Sequence, residues 1–310
     1  MQSRSVIVVL GTGGTIAGAG GDANYTSAQL GVAQLVAAVP ALAALPLECE
    51  QVAQIDSKDM HVEVWRALVA RTAHHLERPE VQGIVVTHGT DTLEETAYLL
   101  HRVLAPARPV VLTGAMRPAT SAQADGPRNL HDAVRVAAHA RASGVLAVLA
   151  QAIHAGVEVR KTHAQRLDAF ESGEAGPIGR LDAESIHELR PWPAAAGALG
   201  AQWLAAPRWP RVEIVISHAG ADGRIVEALL AQGVEGIVVA ATGSGTVHRA
   251  LESALLEARA RGVAVLRSTR VAAGGVTRRD DDRLPSAGAL TAVQARIELM
   301  LRLLARMPQS

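Results

Sequence analysis

Val6-Ile7-Val8-Val9-Leu10-Gly11-Thr12-Gly13-Gly14-Thr15-Ile16-Ala17-Gly18 opens with an unbroken run of apolar, mostly β-branched residues. Such a run reads as a strand buried on both faces, the kind found in a parallel sheet covered by helices. It stops abruptly in a glycine-rich loop with two threonines. Glycine frees the backbone for tight turns and lets another group approach closely. In an open α/β sheet such a loop lies at the carboxyl end of a strand, where ligands bind.

The same alternation continues downstream. Residues 29–39 (Leu30, Ala33, Val36, Ala37) have helical spacing and stop at Pro40, and residues 61–77 repeat the pattern. The strand Gly83–Thr87 breaks into His88-Gly89-Thr90-Asp91 and is followed by a helix with Leu93, Ala97, Leu100 and Leu104 on one face. A third strand, Pro109–Thr113, ends in Gly114-Ala115-Met116-Arg117-Pro118. Asp125-Gly126-Pro127 then opens a helix, with the aspartate as cap and the proline in the first turn. Val145–Leu149 is a fourth strand. Residues 157–162 alternate as a half-exposed strand, and 171–180 read as loop. Strands at 212–216, 236–240 and 263–266 alternate with helices near 223–232, 246–261 and 291–306. The expected fold is therefore α/β, with a larger N-terminal, mostly parallel sheet flanked by helices and a smaller C-terminal α/β domain. The boundaries fall at 1–190 and 212–310. Residues 191–211 form a proline-rich linker, and Trp192, Trp203 and Trp209 suggest that this region is pinned to a surface or subunit interface.

Composition narrows the possibilities. The chain has 310 residues, enough for about two domains, with 30 basic and 30 acidic side chains and a formal net charge of zero. That balance argues against nucleic-acid or membrane-surface partners. No apolar run reaches the length of a membrane span, and strand residues begin within a few positions of Met1, which leaves no room for a signal peptide. The cytoplasm is the expected compartment, a trimmed periplasmic form being the alternative. The single cysteine, Cys49, has no internal disulfide partner and reads as a half-buried thiol. The twelve histidines show no metal-ligand spacing, so none is assigned to a metal. The run Arg278–Arg283 reads as a solvated loop of cancelling charges.

Taken singly, the chemical candidates have ordinary explanations. Gly11-x-Gly13 opens a dinucleotide fingerprint, but Ile16 stands where its third glycine belongs. Thr15 could be a turn or capping residue, or a nucleophile that requires a base or charged relay. Asp91 with Glu94 has the spacing of a capping box, while Thr90-Asp91 also places a hydroxyl and a carboxylate beside a helix N-terminus. Lys161 could face solvent or serve a hydroxyl–lysine–carboxylate set. Tyr25, after Gly20-Gly21, could sit on a mobile lid or in an ordinary loop.

Together, Thr12–Gly18, Ile55–Met60, His88–Ala97, Thr113–Pro118 with Asp125-Gly126-Pro127, and Lys161-Thr162 resemble the bacterial-type L-asparaginase family, in the family's order and across nearly the whole chain. The resemblance implies two α/β domains, a homotetramer built from intimate dimers, and hydrolysis of L-asparagine to L-aspartate and ammonia without metal or cofactor. It implies that Thr15 is the nucleophile, on a loop closed by Tyr25, and that Thr90, Lys161 and Asp91 form the relay. It also implies substrate contacts from Asp91 to the α-amino group, from Ser57 to the α-carboxylate, and from the backbone at Ala115. Three departures stand out: a short lid, Lys58 where some members carry glutamine, and a short late loop with no clear match for the glutamate that a neighbouring subunit lends in some members, its place open to Asp280, Asp281 or Asp282 or to no residue; Ser244, in Gly243-Ser244-Gly245, stands where some members lend an asparagine. The competing readings are an ammonia-generating amidotransferase subunit acting with a partner chain and tRNA, and a Rossmann-type nucleotide-binding protein.

Overall fold

The computed structural model describes residues 5–21, 24–195, 197–201, 206–280 and 282–306. Trp203 and Asp281 lie outside the described residues. The chain divides into two compact units, residues 1–201 and 202–310.

The first unit contains β1 (Val6–Gly13), the hairpin β2 (Ala19–Gly21) and β3 (Asn24–Thr26), α1 (Val32–Ala37), β4 (Leu47–Ile55), α2 (Val62–Glu77), β5 (Val81–Thr87), α3 (Leu93–Leu104), β6 (Val110–Thr113) and α4 (Gly126–Ala137). It continues with β7 (Val145–Leu149), β8 (Ala152–Ala155), the pair β9 (Arg160–Lys161) and β10 (Phe170–Glu171), β11 (Gly179–Leu181) and β12 (Ile186–Glu188). Eight of these strands form one sheet in the order β12-β11-β8-β7-β6-β5-β1-β4. The segment from β7 to β4 is parallel, while β8, β11 and β12 join antiparallel. Along β1, Ile7 and Val9 face the core formed with α1 and α4, and the intervening Val8 and Leu10 point to the opposite face, where α2 and α3 pack. The second unit holds β13 (Val212–Ile216), α5 (Arg224–Ala231), β14 (Gly236–Ala241), α6 (Arg249–Ala260), β15 (Ala264–Thr269) and α7 (Ala292–Leu304). Its three strands are parallel in the order β13-β14-β15, with α5 and α6 on one apolar cluster and α7 against all three strands. No helix among the described residues is long and apolar enough to cross a membrane.

Several local expectations fail for identifiable reasons. β4 carries Glu48, Glu50, Gln51 and Gln54 and has no apolar signature, so it escapes pattern reading. It is an edge strand, and α2 with Arg78, the residue that follows it, supplies partners for its carboxylates. Arg71 Nε and His75 Nε2 meet Glu50 at 2.5 and 2.8 Å, and Arg78 forks onto Glu48 at 2.7 and 2.9 Å. Cys49, on the same strand, is exposed rather than half-buried, because an edge strand covers only one side. The helix expected at 29–39 shrinks to α1, and a 3-10 turn follows at Pro40–Leu42. The strand expected at 157–162 is paired only at Arg160–Lys161, and the loop expected at 171–180 includes part of β10 and β11. Asp125 does not cap α4. Its carboxylate instead accepts the amides of Met116 and Arg117, each at 3.0 Å.

Strand order decides where a ligand can sit. The order β4-β1-β5-β6-β7 reverses direction between β1 and β5, and a crevice opens outside the carboxyl ends at such a reversal. Gly11 pairs with Thr87, Thr87 with Thr113, and Gly13 with Ile55, so four strands end at one level. Beyond them the backbones of Gly14 and Gly89 touch. A Cβ on Gly14, whose φ is +83°, would lie 2.3 Å from the Gly89 Cα. A buried polar chain backs this contact. Trp65 Nε1 donates to Thr96 Oγ1 at 2.9 Å, Thr96 to His88 Nε2 at 2.9 Å, and His88 Nδ1 to the Gly89 carbonyl at 2.7 Å. An indole N–H can only donate and a carbonyl only accept, so this chain fixes the neutral Nδ1–H tautomer of His88. Complete burial holds the His88 pKa down at about 4, opposed by the bond to Gly89.

Two expectations concern stability. Gly14→Ala combines a positive φ with a backbone clash and is expected to cost about 3 kcal/mol. Gly21→Ala, with nothing within 4 Å of the added carbon, stays near neutral. Urea unfolding of both variants measures the contrast. In acid, His88 must take up a proton that the unfolded chain binds from about 6.5 and the folded chain only near 4. The wild type therefore loses His88-linked stability as pH falls through that window, by about 3 kcal/mol. His88→Asn removes this contribution and leaves other titrations common to both proteins. Their stability difference, followed by denaturant titration from pH 7 to 4, should shift by that amount in favour of the variant.

Candidate active site

Each strand end delivers one part of the site. The loop after β1 carries Thr15 in a single 3-10 turn. Thr15 Oγ1 lies 2.8 Å from the Tyr25 hydroxyl, across the β2–β3 hairpin. That hairpin is tied down at Gly20, whose N–H donates to Thr120 Oγ1 at 2.9 Å while its carbonyl accepts from the same hydroxyl at 2.6 Å. The ring of Tyr25 lies over Gly18, where a Cβ would come within 2.8 Å of Tyr25 Cδ2. Gly18 therefore permits the approach of the tyrosine, as Gly14 permits that of the neighbouring loop at Gly89.

The loop after β4 carries Ser57, which is 3% exposed. Its hydroxyl accepts the Asp91 amide at 3.3 Å, and its carbonyl accepts from Thr92 Oγ1 at 2.8 Å. Only a glycine fits at position 89, since a Cβ there would lie 2.4 Å from Ser57 Oγ. Lys58 is exposed and forms an ion pair with Asp59, a hydrogen bond that raises its pKa. The loop after β6 carries Ala115, fully buried. The first turns of α4 hold it in place: Asn129 Nδ2 donates to the Gly114 carbonyl at 2.9 Å, and Asp125 grips the two amides that follow Ala115.

The loop after β5 gathers the charged groups. Lys161 Nζ donates to Thr90 Oγ1 at 2.8 Å and to Asp91 Oδ1 at 2.7 Å. Thr90 is 5% exposed, whereas Asp91 opens to solvent. The capping-box reading of Asp91 does not hold. Helix α3 begins after Thr92 without a side-chain cap, and the aspartate is committed to the lysine. Nor does Lys161 face solvent, since its side chain is 18% exposed. Because the peptide is trans, the Gly89 carbonyl turned toward His88 leaves the Thr90 N–H pointing away from the histidine.

Glu94, the other half of the apparent capping box, accepts the Lys161 backbone amide at 2.8 Å. Burial pushes its carboxyl up to about 7, against the lowering effect of that bond. Pattern reading missed this contact and the Trp65–Thr96–His88 chain. The only available signal was the Asp-x-x-Glu spacing, which has the more familiar meaning of a helix start.

The residues named for the late loop lie in the second unit. Asp282 pairs with Arg267 at 2.5 Å and accepts the Arg279 amide at 2.9 Å, so the run 278–283 is more than a solvated loop. Asp280 is exposed, and Ser244 is exposed with its carbonyl accepting the Thr277 amide. No group of three or more metal-ligating side chains occurs among the described residues.

Residues 6–193 match the family model "Asparaginase, N-terminal", and residues 211–309 match "Glutaminase/Asparaginase C-terminal domain". L-asparaginase 2 of Escherichia coli (strain K12) is 38% identical over 96% of this chain and 88% of its own length. Glutaminase-asparaginase of Pseudomonas fluorescens biotype A is 38% identical over 89% of this chain and 78% of its own length. A crystal structure described as a probable cytoplasmic L-asparaginase from Campylobacter jejuni superposes with a TM-score of 0.91 at 35% identity, covering 97% of this chain and 95% of that one. The two family models follow one another in order over nearly all of the sequence, with relatives of this identity over most of its length; the chain belongs to the asparaginase family.

Proposed function

We propose that this protein hydrolyses L-asparagine to L-aspartate and ammonia by acyl transfer at Thr15. The observation that carries the reading is Lys161 Nζ held between Thr90 Oγ1 and Asp91 Oδ1, on a loop whose backbone touches the loop bearing Thr15 and its partner Tyr25. The family membership and the names of the relatives support the substrate.

An amide is a poor electrophile, and a covalent intermediate divides its hydrolysis into two easier steps. In this reading the substrate's α-ammonium meets the Asp91 carboxylate and its α-carboxylate meets Ser57, with Ala115 contributing backbone contact. Thr15 Oγ1 attacks the side-chain carbonyl and its proton passes into the hydroxyl network around it. Backbone N–H groups near Thr90 stabilise the tetrahedral oxyanion. Collapse of the tetrahedral intermediate expels ammonia and leaves an aspartyl ester on Thr15. Thr90, backed by Lys161 and Asp91, exchanges the protons needed to activate the nucleophile and then the water that releases aspartate. Glutamine, one methylene longer, is a slower substrate of the same pocket. The chain works as a homotetramer in the cytoplasm, a compartment that the description of the Campylobacter jejuni relative supports. The residue assignments make metal and cofactor unnecessary to this scheme.

The test is steady-state ammonia release by the purified homo-oligomer, with asparagine and glutamine side by side. Thr15→Ala and Lys161→Met should each lower kcat by at least about 1,000-fold while the unfolding midpoint stays near wild type. Full activity in Thr15→Ala would remove the nucleophile, and unchanged turnover in Lys161→Met would remove the relay. Ammonia release only when a partner chain is supplied would favour the amidotransferase reading.

A further inference from the structure

Lys161 stands on β9, a strand of only two residues that belongs to no large sheet. Among the described residues its strand partner is β10, through Phe170 opposite Lys161 and Glu171 opposite Arg160. So short a ribbon does little by itself to fix the direction of a long, flexible side chain. Amides on an antiparallel strand point alternately to the two sides. The Thr162 N–H donates to the Ala169 carbonyl at 2.8 Å, toward β10, so the Lys161 N–H faces away from it. That outward amide is the one Glu94 accepts, at 2.8 Å, from the first turn of α3.

The other end of the lysine is held by the same stretch of chain. Thr90 and Asp91, four and three positions before Glu94, receive its ammonium at 2.8 and 2.7 Å. One turn, residues 90–94, therefore grips Lys161 at both its backbone and its Nζ. We propose that Glu94 is a positioning residue for the reaction: its carboxylate pins the Lys161 amide so that Nζ is presented to Thr90 Oγ1. The inference rests on the asparagine hydrolysis proposed above, in which Lys161 backs Thr90. Glu94 touches neither substrate nor reacting atoms and acts only through the lysine. Without it, β9 is free to slide relative to α3, and displacement of a catalytic group by about 1 Å is enough to slow turnover roughly 100-fold.

The experiment compares Glu94→Leu, Glu94→Gln and Glu94→Asp in ammonia release from asparagine, with crystal structures of the wild type and each variant. Leucine removes the acceptor at similar volume, and kcat should fall by roughly 10- to 100-fold while KM changes by less than about threefold. Glutamine keeps an oxygen for the amide and should restore kcat to within about threefold of wild type. Aspartate keeps the charge but stops one methylene short, so it should resemble leucine. It also provides the test if the leucine variant does not fold. A leucine or aspartate variant with wild-type kcat, or a glutamine variant as slow as leucine, overturns the proposal. If the wild type itself releases no ammonia from asparagine, the proposed activity fails and the structures still decide the clamp. Lys161 Nζ displaced from Thr90 in Glu94→Leu and retained in Glu94→Gln supports it; an unmoved Lys161 in Glu94→Leu overturns it.

Discussion

The strands β1 and β5 end in loops that meet backbone to backbone at Gly14 and Gly89, and the arrangement of the crevice follows from that approach. A side-chain carbon at either position would collide, with the Gly89 backbone in one case and with Ser57 Oγ in the other. Thr15 and Thr90, one residue beyond each glycine, are thus carried to the two sides of the point where the sheet reverses its strand order. Everything around them serves to hold that junction: Tyr25 over the first loop, Ser57 under the second, and Trp65, Thr96 and His88 behind it. The histidine is buried and neutral, so it works there as an oriented donor to a carbonyl and not as an acid or base near neutral pH.

The start of α3 illustrates how one short segment takes on two tasks. A helix N-terminus favours carboxylates, and Asp91, Glu94 and Glu95 are placed accordingly. Yet neither Asp91 nor Glu94 folds back onto the helix to cap it. Both reach outward to Lys161, one to its ammonium and one to its amide. The helix forgoes a cap, which costs about 1 kcal/mol. In exchange the lysine, 71 and 70 residues away in sequence from Thr90 and Asp91, is locked against their loop.

Much of this fold is legible in the sequence, because buried parallel strands such as Val6–Leu10 and Gly83–Thr87 are nearly continuous apolar runs. The candidate side chains are legible as well, since glycine-bounded threonines at strand ends have few other uses when they occur together. What escapes is whatever depends on a partner far along the chain. β4 is polar because α2 and the Arg78 that follows it neutralise its glutamates, and no local pattern encodes that. Asp125 looks like a helix cap until the loop after β6 is present to take its carboxylate. Glu94 looks like half of a capping box until β9 arrives with an unpaired amide. In each case local spacing states a preference, and a distant hydrogen-bonding group overrides it.

The central claim is that the crevice at the carboxyl ends of β1 and β5 binds a small amino acid through Asp91 and Ser57 and presents it to Thr15. A crystal structure of the wild-type protein soaked with L-aspartate tests this most directly. The account predicts aspartate in that crevice, its α-ammonium on the Asp91 carboxylate, its α-carboxylate on Ser57 and its side-chain carboxyl against Thr15 Oγ1. Aspartate bound in the opposite orientation, or bound only elsewhere while the crevice stays empty at saturating concentration, would contradict it.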